Sequence, residues 1–114
     1  MTLDINQLTS DIKSTVSGII GKDVETVRGF SKRQLLGIAN QTSLVAAGIL
    51  TGEISDFNRD FFLDQLVELS HNFINTLIGL LLSTIETAWN AVVNVLWGAI
   101  SKATGLQLPS FSPM

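Results

Sequence analysis

His71 is the only histidine in the chain, and Asp64, Glu68 and Asn72 fall on its side of a helix. A carboxylate–imidazole pair on one helix face could hold a proton or a weak metal ion. The competing and far simpler reading is a solvated polar stripe. No Cys and no second His exist to complete a metal site of the usual spacing. Asp60, Asp64 and Glu68 form an acidic ladder at i, i+4 spacing, mildly self-repelling and able to wait for a basic partner. Asn40-Gln41-Thr42 matches a glycosylation sequon but falls mid-helix, in a chain with no visible secretory signal. No phosphate-cradling glycine loop and no nucleophile elbow occur. The expectation is therefore a non-enzymatic protein, with no catalytic residue, no cofactor and no metal.

The elements that would carry these residues are helices. The chain has 114 residues, 46 % of them hydrophobic and 15 % charged, against about 25 % charged in ordinary soluble domains. Such apolar content excludes a disordered tail. Lys+Arg is 7 and Asp+Glu is 10, a net charge of −3, which disfavours a basic nucleic-acid binder. DNA contact is thus not indicated by charge. The first dozen residues, MTLDINQLTSDI, hold two Asp and no basic or long apolar stretch, so synthesis in the cytoplasm without a signal peptide is expected. The chain reads as a whole small gene product.

Ile5, Leu8, Ile12, Val16 and Ile19 are spaced as one stripe of an amphipathic helix, with Asp4 as N-cap. Residues 1–30 are this helix and a polar connector. Residues 31–52 open with Ser31 and Gln34 in a capping-box pattern, flanked by Phe30 and Leu35 at staple positions. The candidate helix-packing residues here are Ala39, Ser43, Ala47, Gly48 and Gly52, whose small side chains let backbones approach. From Phe57 to Ala103 there is no Pro, and only Gly79 and Gly98 interrupt. This predicts one helix over 56–103, roughly 70 Å long at 1.5 Å per residue, within a segment 53–104. Residues 105–114 read as a tail, with Gly105 ending the helix and Pro109 and Pro113 unable to continue it.

The third segment carries a polar line stepped 4, 4, 3 on a mostly apolar rod. Asn72, Asn75, Ser83, Glu86, Asn90 and Asn94 are its candidate lumen-lining residues, facing a wet surface in a ring of third helices. Leu69–Ile85 and Thr87–Ser101 lack charge, but Glu86 separates them, so the segment is no simple span. The fold class is all-α: an amphipathic first helix, a second helix and one very long apolar third helix, assembling as an oligomeric bundle or ring. Five of the seven basic residues precede residue 34, whereas 53–68 is acidic.

This Cys-free helical chain with an Asn-striped apolar segment, DFNRDFFLDQLVELSHNFINTLIGLLLSTIETAWNAVVNVLWGAISKAT, resembles in character the small internal virion and DNA-ejection proteins of tailed bacteriophages. The resemblance covers 56–104 and transfers no residue. It implies storage in the virion, then assembly in the host envelope as part of a conduit, with copies of itself, other virion or envelope proteins and membrane lipid as partners. The location it implies is the virion or the bacterial membrane. A second likeness is to holins, which permeabilise the inner membrane, although those often end in a basic tail and here only Lys102 follows Arg59. A soluble oligomeric adaptor is the reading from another class.

Overall fold

The computed structural model describes residues 3–108. Four helices account for most of them: α1 Ile5–Ile20, α2 Lys32–Thr51, α3 Asp56–Asn75 and α4 Leu82–Thr104. A single 3-10 turn, Val24–Thr26, lies in the α1–α2 connector, and there is no strand among the described residues. The all-α expectation holds.

Three helices begin where local chemistry says they should. Asp4, Ser31 and Ser55 each accept a hydrogen bond from the backbone N–H three residues on, at 3.1, 3.1 and 3.3 Å. Gly21, Gly52 and Gly105 close α1, α2 and α4 in the left-handed conformation. Pro109 and Pro113 of the expected tail lie outside the described residues.

The helices run up-down-up-down. The Lys13–Glu25 ion pair (3.7 Å) and the Ser17 hydroxyl accepting from the Val24 N–H (2.9 Å) fold the connector back on α1. Trp89 Nε1 donates to the Val67 carbonyl at 3.1 Å, across the α3–α4 hairpin. Leu3 and Leu8 of the α1 end share a groove with Val95 and Ala103 of α4, so these two helices are antiparallel. Helices α2 and α4 meet across the bundle, whereas α1 and α3 do not, which flattens it to 41 × 30 × 18 Å. One end thus carries the α1–α2 connector and the α3–α4 turn. The other carries the N-terminal side of α1, the α2–α3 turn and the C-terminal side of α4.

The single helix expected over 56–103 is two helices, and the 53–104 segment is a hairpin. The chain reverses at Thr76–Leu81. Thr76 caps α3, Leu77 is buried, Gly79 takes φ +92°, and the Ile78 N–H donates to the Arg28 carbonyl at 2.8 Å. Magnitudes explain the break. It forgoes about four intrahelical hydrogen bonds, each worth roughly 1 kcal/mol net. In return Leu63, Leu66, Phe73 and Ile74 of α3 and Val92, Val93, Leu96 and Ile100 of α4 are buried within one chain. Each such side chain contributes about 1.5–3 kcal/mol. A rod would leave most of them in water.

The core is apolar. The buried hydroxyls among the described residues need no partner outside their own helices: Thr9, Thr42 and Ser70 each donate to the carbonyl four residues back, at 2.8 Å. No helix among the described residues is long and apolar enough to cross a membrane.

Candidate functional site

The residues singled out for chemistry do not converge. Asn75 Nδ2 lies 3.0 Å from His71 Nε2, one turn away on the same helix. The His71 ring lies over Trp89, with centroids 4.3 Å apart and planes tilted by 33°. It serves the α3–α4 contact. Asp64 and Glu68 are exposed on α3, and no group of three acidic or imidazole side chains among the described residues could hold a metal ion.

The polar line is folded in two by the reversal between α3 and α4 and cannot run as one straight line. Asn72 and Asn75 lie exposed on α3, and Ser83 and Glu86 lie exposed at the start of α4. Asn90 and Asn94 are half-buried on α4, where Asn94 Nδ2 donates to Asn90 Oδ1 at 3.4 Å. Trp97, three residues beyond Asn94 on the same helix, is buried.

The small residues of α2 divide between packing and termination. Ala39 is in the core, Ser43 half-buried and Ala47 exposed. Gly48 is buried beneath Ile54, whose Cδ1 would stand 2.7 Å from an added Cβ, and its carbonyl accepts from the Ile54 N–H at 2.9 Å. Gly52 is the left-handed cap. The G-x-x-x-G spacing therefore builds the α2–α3 turn.

What the structure leaves exposed instead is apolar surface, most of it at the two ends of the bundle, with Leu44 on α2 and Leu69 on α3 exposed between them. At the connector end, Ile78, Leu81 and Leu82 are 56, 74 and 70 % exposed. Beside them, Arg28, Lys32 and Arg33 are exposed and make no ion pair among the described residues. The Arg28 carbonyl accepts from the Ile78 N–H, which ties the basic connector to the apolar turn. At the far end, Phe57 is 93 % exposed and Phe61 61 %, with Leu50 at the end of α2 also exposed. Asp56, Asp60 and Asp64 share the α3 surface with the two phenylalanines at i+3 and i+4 spacings. The single cation of that stretch, Arg59, pairs with Asp56 at 3.4 Å.

Both ends escape a reading by periodicity. Leu81 and Leu82 sit inside an apolar run that looks like helix interior. Phe57 and Phe61 look like a core pair until the neighbouring Leu63 and Leu66 take the buried face. A detectable signal was the Asp56–Asp60–Asp64 series, which marks the Phe57–Phe61 face as the wet one.

A groove of about 460 Å³ between α1 and α4 is lined by Leu8, Val95 and Ala99, with Asp4, Asp11 and Lys102 at its rim. Those charges lie exposed on the surface.

Fold and surface together define an all-helical four-helix bundle with two apolar ends of opposite charge. No family model, no curated protein and no solved structure matches the chain.

Proposed function

We propose that this chain is a non-enzymatic structural protein that works as an assembly of copies, as a component of a phage particle that acts at the host envelope. The observation that carries the assembly is the exposed apolar surface collected at both ends. Large contiguous apolar patches on a small domain mark interaction sites. Phe57, Leu81 and Leu82 are each at least 70 % exposed, and Leu50, Phe61 and Ile78 beside them are more than half exposed. The likeness of 56–104 to internal virion and ejection proteins supports the placement in a particle. Membrane lipid is the competing surface for the same patches, and it needs no spanning helix.

Sedimentation in aqueous buffer, with and without detergent, tests the assembly. The expected result is a defined multimer that forms without detergent. A stable monomer that binds no detergent overturns it. Mass spectrometry of purified particles tests the placement: the intact chain should be packaged, and its absence from the particle would remove the virion reading.

A further inference from the structure

The two ends of the bundle complement one another. The connector end presents Ile78, Leu81 and Leu82 within a basic surround, and the far end presents Leu50, Phe57 and Phe61 within an acidic one. We infer that copies of this chain dock head to tail, the basic apolar end of one copy on the acidic apolar end of the next. The inference rests on the proposed assembly and names its interface.

Charge decides the occupant. Residues 22–33 hold Lys22, Arg28, Lys32 and Arg33 against Asp23 and Glu25, and Glu25 is already engaged by Lys13. Glu86, one turn into α4, is the other acid near this end. Residues 53–64 hold Glu53, Asp56, Asp60 and Asp64 against Arg59. Lys102 and Asp4 stand at the same end on α4 and α1 and offset one another. Pairing like ends would set Lys32 and Arg33 against their own copies, or Asp60 and Asp64 against theirs. Like charges brought together in an interface cost several kcal/mol. Pairing unlike ends brings apolar surface onto apolar surface with cations facing carboxylates. A head-to-tail contact leaves one end of each copy open, so it propagates, to a ring if the rotation closes and to a filament if it does not.

A charge-reversal cross tests this. One variant carries Lys32→Glu and Arg33→Glu, at exposed positions in the first turn of α2, where acids suit the helix dipole. The other carries Asp60→Lys and Asp64→Lys, exposed on α3. Circular dichroism should show both folded. Each alone has two ends of one sign, and its self-association should weaken on the order of a hundredfold. Mixed one to one, the ends are complementary again, and assemblies should return as alternating copies. Sedimentation velocity reads all three samples. Either variant assembling alone as the wild type does, or a mixture no more assembled than its parts, overturns the head-to-tail contact while leaving the assembly intact. A wild type that stays monomeric overturns the assembly itself. A monomeric wild type that binds phosphatidylglycerol vesicles through Lys32 and Arg33 assigns the basic end to lipid and overturns both.

Discussion

Gly29 stands directly against the Thr76 carbonyl: with φ at +89°, a Cβ there would fall onto that oxygen. The contact joins the α1–α2 connector to the α3–α4 turn and sets where the chain reverses. Gly29→Ala should therefore suffer twice. The left-handed conformation costs an L side chain about 1–2 kcal/mol, and crowding the turn adds about 1–3 kcal/mol. Gly21 has a similar φ of +77° with open space around it, so Gly21→Ala should lose only the first of these. Urea unfolding followed by circular dichroism compares them, and equal losses would show that the Thr76 contact has no weight.

Trp89 bridges the hairpin through its indole N–H to Val67 and its ring to His71. Trp89→Phe keeps an aromatic ring and removes the donor. The expected loss is about 1 kcal/mol, the net value of one such bond. Fluorescence gives a second check. Only Trp97 remains, and it is buried, so the emission should shift to shorter wavelength. An unshifted spectrum would mean that Trp89 is as dry as Trp97.

Local signals were legible and the long-range one was not. Asp4, Ser31 and Ser55 cap helices because a side-chain oxygen three residues before a free N–H acts within one turn. Ala39 and the stripe Leu8, Ile12 and Val16 are in the core as their spacing requires. The break at 76–81 is different. TLIGLL has nothing locally that forbids a helix, and its partner, the Arg28 carbonyl, lies 50 positions earlier in sequence. The polar line had the same weakness. Its 4, 4, 3 stepping is real, yet it describes one line in space only if the helix is continuous. The opposite charges of the two ends were visible as basic residues before 34 and acidic ones over 53–68, but only the bundle places them at opposite poles.

Exposure separates residues that hold the fold from residues that serve contacts. Phe73 is in the core with its ring 6.0 Å from Phe30 in an edge-to-face arrangement. Phe73→Ala should cost about 3–5 kcal/mol. Phe57 is 93 % exposed, and Phe57→Ala should change monomer stability by no more than about 0.5 kcal/mol. Urea midpoints at a concentration where the protein is monomeric decide this. A large loss at Phe57 would show that it packs within the chain.

Gly79 is the hinge between the hairpin and the rod that the sequence alone describes. It has φ +92° and open space at the Cβ position. Among the residues 76–81, Gly79 alone has a positive φ. Gly79→Ala acts on both forms. In the hairpin, alanine in the left-handed region costs about 1–2 kcal/mol. In a continuous helix, alanine is better than glycine by about 1 kcal/mol. The equilibrium between them should move by about 2–3 kcal/mol, on the order of a hundredfold at the upper limit. An opened α3–α4 helix exposes Leu66, Phe73, Val92 and Leu96, and a second chain can cover them by exchanging hairpin halves. The variant should be less stable as a monomer and should accumulate a slowly exchanging, swapped dimer at high concentration. Such a dimer does not depend on the end charges, so adding Lys32→Glu and Arg33→Glu should leave it in place. A Gly79→Ala protein as stable as the wild type, with no new dimer, would show that the turn is held by the Arg28–Ile78 bond and the buried Leu77 alone.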